Sequence, residues 1–347
     1  MNWRSRPLAA VTAVASLLAA GVLASTGLAA AAPATAATHV TAAPLGTHWR
    51  VADPAAYARA IRSGNWTYTP EGLAPKSCVN HVPAGGIVAA DGDIVTKSGA
   101  VHHVTRCTTR TLAYPGPQGS WVKPAATPGP GSPCLSGLSG GWWAATCSID
   151  SDFRGLLYYN ENFSIPSDPT KDGALIFYFP AFQSADGASI VQPVLTWGAN
   201  ASTGVTSGNI WYMTSWAGVS GTYYTSNSVH INTPGTVNGL MQRGLCTAIY
   251  SGCNWIITTS DGSASAGFLA QGLPTMTQIL GGVMEVPWAS GCVETPPNGH
   301  EAFRNLVVHD YTGTVTPSFA KLKNPSPQCS VSPAASSGIN TDITWTS

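Results

Sequence analysis

The chain has 347 residues, only 9% of them are charged, and its formal net charge is zero. This balance argues against nucleic acid and anionic membrane surfaces as partners, because both attract clustered Lys and Arg. The length allows one large domain or two small ones, and the abundance of Gly and Pro with twelve Trp is typical of a turn-rich all-β protein.

The N-terminus has the pattern of an export signal. Arg4 and Arg6 precede an apolar run that extends to about Leu28, and Ala34-Thr35-Ala36 fits an Ala-x-Ala cleavage site. A transmembrane anchor is the alternative, although the run is rich in Ala and leads directly into Ala, Pro and Thr. We expect residues 1–36 to be a signal peptide. The mature chain is then expected to be secreted and extracellular, with no membrane association after signal cleavage.

The cysteines agree with export. Eight cysteines in an exported chain predict disulfides, although the sequence leaves many connectivities open. A metal site is less well supported, because there is no Cys-x-x-Cys motif and no His lies at ligand spacing from a Cys. If nearest neighbours pair, the bridges are Cys78–Cys107, Cys134–Cys147, Cys246–Cys253 and Cys292–Cys329.

Residues 37–114 are predicted to form a small N-terminal segment, either an accessory unit or a propeptide. Asp53–Ser63 has the pattern of a short helix, and strand-like pieces follow around Ile87 and Val101. Asp91-Gly92-Asp93 lies between these pieces and predicts a hairpin turn. A calcium loop is the alternative there, but the spaced acidic ligands and the terminal Glu are missing.

Beyond this segment, residues 115–141 are rich in Pro and Gly and predict a linker without a core. From residue 142 to 347, short apolar runs alternate with Gly, Ser, Asn and Pro turns, which predicts an all-β domain, a β-sandwich or jelly roll. The expected strands are Leu156–Phe163, Ala174–Phe182, Ser189–Trp197, Asn209–Trp216, Val229–Asn232, Val237–Gln242, Asn254–Ser260, Gly281–Trp288 and Ala302–His309.

Two of these strands carry one polar residue inside an apolar run: Gln192 and Glu285. Side chains alternate along a strand, so neighbouring strands would bring both residues to one face of a sheet. A carboxylate in such a setting is desolvated, which raises its pKa and makes it a better acid or base. The alternative is that each residue faces solvent or makes a purely structural hydrogen bond.

The features between these two strands come in a distinctive order. An aromatic strand (Trp211–Trp216) is followed by a Pro-Gly turn (Asn232–Gly235) and by a strand that ends in a Thr-x-Asp turn (Trp255–Asp261). Over roughly residues 150–310 this order resembles the eqolisins, acid-acting glutamic peptidases with a concanavalin-A-like β-sandwich. In that family a Gln and a later Glu form the catalytic dyad, and the resemblance implies these roles for Gln192 and Glu285.

Some details depart from the eqolisin pattern. The strand before Gln192, Ile176–Pro180, lacks the acidic residue usual in that family, and Pro193 removes a ladder donor directly after Gln192. The stretch Val191–Gly198 is also similar to a group of exported actinobacterial and fungal proteins that share Val-Gln-Pro-Val-Leu-x-Trp-Gly.

The resemblance implies an endopeptidase with a polypeptide substrate and no metal or other cofactor. Glu285 would take a proton from the attacking water and pass it to the leaving amine, while the Gln192 amide would donate to the oxyanion. Trp211, Trp216 and Tyr178 are candidates for lining the substrate cleft. We expect a monomer.

Other classes of function also fit. A glycosidase or lyase on the same sandwich would need two carboxylates, for which Glu161 and Glu285 are the fallback pair, although the Glu-x-Asp-x-x-Glu motif of sandwich glucanases is absent. A non-catalytic carbohydrate-binding or lectin-like protein would use exposed Trp and Tyr. A serine hydrolase is poorly supported, because there is no Gly-x-Ser-x-Gly elbow.

Overall fold

The chain folds almost entirely into β-strands in this computed structural model. The structure describes residues 49–346, apart from residues 52–53, 110, 114–141, 150–154, 207, 232–233, 249–250, 290, 324–328 and 337. The predicted signal peptide, the predicted linker and Cys134 lie outside the described residues, as do Asn232 and Thr233 of the Pro-Gly turn. Residues 43–347 form one compact unit.

The elements have the following bounds in chain order. They are β1 Trp49–Val51, α1 Pro54–Arg62, β2 Trp66–Thr69, β3 Gly72–Pro75, β4 Val79–His81, β5 Ile87–Val88, β6 Ile94–Val95, β7 Val101–His102, β8 Thr111–Ala113, β9 Trp142–Ile149, β10 Leu156–Ser164, β11 Leu175–Ser184, β12 Ser189–Trp197, β13 Trp211–Val219, β14 Thr222–Thr225, β15 Val229–His230, β16 Thr236–Ala248, β17 Ser251–Ser260, β18 Ser265–Leu273, β19 Met276–Trp288, β20 His300–Asp310, β21 Gly313–Val315, β22 Ala320–Lys323, β23 Ser332–Ser336 and β24 Asn340–Thr344. Short 3-10 turns span Lys76–Cys78, Ala201–Thr203 and Cys292–Glu294.

The described strands form three sheets. Sheet I has the order β22-β9-β19-β11-β12-β13-β14-β4, with β15 beside β13. Sheet II has the order β23-β24-β20-β10-β16-β17-β18-β5-β6-β7, with β21 beside β20, and a small N-terminal sheet has the order β1-β8-β3-β2. The predicted all-β sandwich is confirmed.

Sheets I and II pack face to face around an apolar core. Phe182 of sheet I meets Tyr159 and Trp255 of sheet II, with ring centroids 5.1 and 5.7 Å apart. The sheets approach so closely that a Cβ on Gly239 of β16 would lie 2.6 Å from Cγ of Pro193. Pro193 therefore faces the sandwich interior, where its ring fills space that a glycine on the opposite sheet leaves open.

The N-terminal segment covers the outer face of sheet I. Ala74 of β3 belongs there to the same buried apolar cluster as Phe177, Val194 and Trp216 of the large sheet. Consequently β11 and β12 are buried along their whole length, on both faces. Strands covered on both faces are near-continuous apolar runs, which is the pattern that the sequence shows at these positions.

The predicted strands of the sandwich are present and differ from the structure at their ends, whereas β2, β9, β14, β24 and several other short strands are not predicted from the sequence. The helix predicted over Asp53–Ser63 is α1, and Asp91 lies in the turn between β5 and β6, as expected. The strand predicted from Gly281 begins five residues earlier, and β18 was not predicted because Ala and Gly dominate it. Within the described part of the chain, no helix is long and apolar enough to cross a membrane.

Three of the expected disulfides are present: Cys78–Cys107, Cys246–Cys253 and Cys292–Cys329. Cys147 is also disulfide-bonded. The partner expected for it, Cys134, lies outside the described residues.

Candidate functional site

Gln192 and Glu285 lie on the same outer face of sheet I. Gln192 is on β12 and Glu285 on β19, and these strands are not direct neighbours, because β11 lies between them. Both side chains are buried, with 1% and 0% of their surface exposed. The N-terminal segment covers this face, so both polar groups are buried beneath it, and we call the space between this segment and the sheet the cleft.

The two residues are offset along the intervening strand. Glu285 pairs with Phe177, while Val191, next to Gln192, pairs with Phe182. Trp142 of β9 is the register partner of Glu285 on the other side. Its side chain is the hydrogen-bonding group that acts on the Glu285 carboxyl group, and it lowers the pKa of that group.

A single main-chain carbonyl group links the two sides of the cleft. The Gln192 Nε2 amide donates a hydrogen bond to the Pro70 carbonyl oxygen over 3.4 Å, and the Trp142 indole Nε1 donates to the same oxygen over 3.3 Å. Pro70 is itself buried. The cleft therefore binds a peptide carbonyl group of the chain's own N-terminal segment.

Pro70 lies at the tip of a hairpin formed by β2 and β3, residues Trp66–Pro75, which we call the cap hairpin. Pro70 and Glu71 are its two turn residues, between the paired Thr69 and Gly72. Pro at the second and Gly at the fourth position suit a tight turn. Gly72 has φ +120°, and a Cβ there would lie 2.7 Å from the Leu112 carbonyl oxygen, so the passing strand β8 requires glycine.

The Glu71 carboxyl group is buried against the sheet. A Cβ on Gly218 of β13 would lie 2.8 Å from Glu71 Oε2, and the carboxyl group is hydrogen-bonded to the Tyr223 hydroxyl. Burial raises the pKa of Glu71 to about 8, and the bond to Tyr223 offsets part of that rise. The Tyr223 hydroxyl also shares a 2.7 Å hydrogen bond with the Thr111 hydroxyl.

The surroundings of Glu285 favour the neutral form of its carboxyl group. Burial raises its pKa well above the ordinary value of 4.5, the nearby Glu71 raises it further, and the Trp142 side chain opposes the rise. Among the described residues, no hydrogen bond of 3.5 Å or less reaches either carboxyl oxygen of Glu285, and the Trp142 side chain is the hydrogen-bonding group that acts on it. A buried carboxyl group that is so weakly satisfied is costly and is a feature of sites that work on a ligand.

The predicted aromatic residues are divided between the two faces of sheet I. Trp216 pairs with Gln192 across β12 and β13 and lies beside it on the outer face. Trp211 and Tyr178 lie on the opposite face, in the core between the sheets, with ring centroids 6.0 Å apart. The structure thus brings Trp216 to the cleft and does not bring Trp211 or Tyr178 there.

The fallback carboxylate pair is not brought together either. Glu161 is on β10 of sheet II and is buried, and it accepts a 2.5 Å hydrogen bond from the Tyr159 hydroxyl. Glu285 is on the outer face of sheet I, so no shared cleft holds the two carboxyl groups. The described residues also contain no group of three or more His, Cys, Asp or Glu arranged to hold a metal ion.

Sequence reasoning missed three members of the cleft: Pro70, Glu71 and Trp142. A Pro-Glu-Gly sequence predicts a solvent-exposed turn, and nothing local indicates that this turn is buried against residues 72 and 122 positions away in the sequence. Trp142 directly follows the predicted linker, where its strand is not distinguishable by periodicity. The one available signal was the pair of aromatic residues, Trp66 and Tyr68, in the strand that leads to the turn.

Solved structures with a similar fold include two peptidases. Scytalido-glutamic peptidase, solved with a peptide-based transition-state analogue, is 12% identical, with 59% of this chain and 98% of that chain covered and a TM-score of 0.40. SCP-B, a member of the eqolisin family solved with the tripeptide Ala-Ile-His, is 12% identical with the same coverage and a TM-score of 0.41. Similarity at this level does not assign a function. No protein-family model matches the chain, and no curated protein sequence does either.

Proposed function

We propose that this chain is a secreted endopeptidase that acts in acid and uses Gln192 and Glu285 as its catalytic dyad. The observation that carries this function is the hydrogen bond from the Gln192 side chain to the Pro70 carbonyl oxygen. A peptide carbonyl is the group that a peptidase must polarise, and here the chain presents one of its own to the candidate dyad. Glu285 shares this cleft, and among the described residues the Trp142 side chain is the hydrogen-bonding group that acts on its carboxyl group.

The roles of the two residues follow from their chemistry. Once the cleft admits substrate and water, the ionised Glu285 carboxylate takes a proton from the water that attacks the scissile carbonyl carbon. The Gln192 amide donates to the oxyanion that forms, and an amide suits this role because it does not titrate. The protonated Glu285 then gives its proton to the leaving amine as the C–N bond breaks. Trp216 would flank the substrate beside Gln192. Trp211 and Tyr178 would pack on the opposite face of the sheet, in the core between the two sheets.

Export and maturation form part of the same proposal. The N-terminal pattern of residues 1–36 supports a signal peptide, and disulfides such as Cys246–Cys253 form in oxidising compartments. We take residues 37–114 as a propeptide-like segment and residues 115–141 as the linker in which cleavage releases it. Before that cleavage, the cap hairpin keeps substrate away from Gln192 and Glu285.

The test is digestion of denatured casein between pH 3 and 7, before and after an added protease has cut the linker. We expect acid cleavage by the trimmed wild type and its loss in Gln192→Ala and Glu285→Gln. Matched controls are Gln278→Ala and Glu301→Gln, which alter a buried Gln at the far end of β19 and a buried Glu of sheet II. Loss in all four variants, or no cleavage by the trimmed wild type, would contradict the assignment.

A further inference from the structure

We propose that Ile190, Gly218 and Tyr223 form a specificity subsite that takes the side chain of a Glu or Gln residue of the polypeptide substrate in its neutral form. We call these three residues the Glu71 subsite, because Glu71 of the cap hairpin fills it in this form of the chain. This inference rests on the peptidase function proposed above and names the substrate class for the same cleft.

The three residues are level with one another on adjacent strands. Ile190 of β12 pairs with Gly218 of β13, and Gly218 pairs with Tyr223 of β14. Gln192 is two residues along β12 from Ile190, a distance of about 7 Å at the rise of a β-strand. A peptide whose carbonyl group is bound by Gln192 therefore places its next side chain in the subsite, as Pro70 and Glu71 do.

The subsite is shaped for a flat polar head group. Its floor has no side chain, because a Cβ on Gly218 would lie 2.8 Å from Glu71 Oε2 and 3.1 Å from Cγ2 of Ile190. The Tyr223 hydroxyl is the polar group that meets the head group, and it both donates and accepts hydrogen bonds. An amide or a protonated carboxyl group satisfies it, whereas an ionised group loses its hydration there without an opposite charge to compensate.

Burial explains the preference of Glu71 for the neutral form, and the titratable groups that act on it do not oppose that preference with a positive charge. They are Tyr223 on β14, whose pKa is raised by burial, and Glu285 on β19, whose pKa is also raised by burial. Neither supplies a positive charge. A free Glu side chain titrates near 4.5 and the bound one near 8, so binding of a Glu peptide weakens by up to about tenfold per pH unit between these values. A Gln peptide avoids this loss.

The cap hairpin is able to leave the subsite without breaking a covalent bond. Both cysteines of the Cys78–Cys107 disulfide belong to the N-terminal segment, so this bridge does not tie the hairpin to the sandwich. All described contacts that hold the hairpin are noncovalent: the hydrogen bonds of the Pro70 carbonyl oxygen and the Glu71 carboxyl group, and those that join β2 to the loop after β12. The hairpin is thus an internal ligand that a substrate peptide replaces.

The first experiment measures amide hydrogen exchange of the cap hairpin in the full chain at pH 4.5, 6 and 7.5. Wild type, Glu71→Gln and Glu71→Lys are compared at each pH, so that the intrinsic exchange rate cancels. We expect wild type and Glu71→Gln to be equally protected at pH 4.5, with wild type at least about tenfold less protected at pH 7.5. Glu71→Lys should be unprotected throughout. Equal protection in all three variants would overturn the subsite.

The second experiment tests the substrate preference by binding, without catalysis. The full-length double variant Glu71→Lys/Glu285→Gln is titrated with four synthetic decapeptides that have the sequence of residues 66–75. The sixth position, which corresponds to Glu71, is Glu, Gln, Lys or Ala. At pH 4.5 we expect the Glu and Gln peptides to bind at least about tenfold more tightly than the Lys and Ala peptides. This difference is what one buried hydrogen bond between neutral groups contributes to binding. Adding Gly218→Ala should remove the difference.

The outcomes separate this inference from the peptidase function. Equal binding of all four peptides, in a chain whose trimmed wild type cleaves casein, would overturn the subsite and leave the dyad in place. Tight binding of the Glu and Gln peptides without any casein cleavage by the trimmed wild type would instead overturn the peptidase function. If Glu71→Lys does not fold, Glu71→Ala replaces it in both experiments.

Discussion

Gln192 and Trp142 donate hydrogen bonds to one acceptor, the carbonyl oxygen of Pro70, over 3.4 and 3.3 Å. The two donors are on β12 and β9, which are separated in sheet I by β11 and β19. One turn of the N-terminal segment therefore bridges four strands of the sheet. The contribution of this turn to the stability of the chain can be measured by changing the residues of the sheet that contact it.

Replacing Trp142 with Phe should weaken the cap hairpin. The change removes one of the two hydrogen bonds to Pro70 and the side chain that lowers the pKa of Glu285. Trp255→Phe is the matched control, because its indole nitrogen is buried without a hydrogen-bond partner among the described residues. In urea unfolding we expect Trp142→Phe to cost about 1 kcal/mol more than the control. Equal costs would show that the bond to Pro70 contributes nothing.

Replacing Gly218 with Ala should displace Glu71. The added Cβ would approach Oε2 to 2.8 Å and the Tyr223 ring to 3.2 Å, and overpacking of this kind costs about 1–3 kcal/mol. Gly244→Ala is the control, because its Cβ would make only an ordinary 3.5 Å contact with Asn254. Proteolysis of the cap hairpin by an added protease should accelerate in the first variant only. A hairpin equally resistant in both variants would contradict the close approach.

The protein should be most stable near pH 4 to 4.5. Burial raises the pKa of Glu71, Glu161, Glu285 and Glu301, so the folded state loses stability as the pH rises above 4.5, where these groups ionise in the unfolded chain. Glu71 alone, with its pKa of about 8, accounts for about 5 kcal/mol by pH 8. Thermal unfolding between pH 3 and 8 measures the trend.

At the acid end the trend reverses. Backbone hydrogen bonds lower the pKa of Asp93 and Asp261, so their contribution is lost as the pH falls below 3.8. The variant Glu71→Gln should flatten the decline above pH 4.5, because it removes one of the groups that ionise there. A melting temperature that rises steadily from pH 4.5 to 8 would be incompatible with four buried neutral glutamates.

Removing the Cys78–Cys107 bridge should destabilise the chain more than removing Cys246–Cys253. The first closes a span of 29 residues and the second a span of 7. Loop-closure entropy predicts that their removal lowers the free energy of unfolding by about 3–4 and about 2 kcal/mol, respectively. Double Cys→Ala variants compared by chemical unfolding test the order. The reverse order would mean that the N-terminal segment remains ordered without its bridge.

The sequence predicts most of the sandwich and part of the cleft, for identifiable reasons. Strands β11 and β12 are buried on both faces and so are apolar throughout, which makes Gln192 conspicuous. The same holds for Glu285 in β19. The order of the strands in the sheet is set by long-range packing, so the position of β11 between the two polar residues was not accessible from local pattern. Glu71 was missed because its burial depends on Gly218, which is distant in sequence.

The pairing of β4 with β14 and of β5 with β18 has a consequence for the behaviour of the chain in solution. These parallel pairings cover one edge of sheet I and one edge of sheet II. A sandwich stripped of residues 49–113 would present both edges with unpaired backbone groups, which are templates for intermolecular strand addition. Light scattering should therefore detect aggregation of the stripped sandwich at concentrations where the intact chain is monodisperse. In that case the N-terminal segment protects the sheet edges of its own chain from intermolecular pairing.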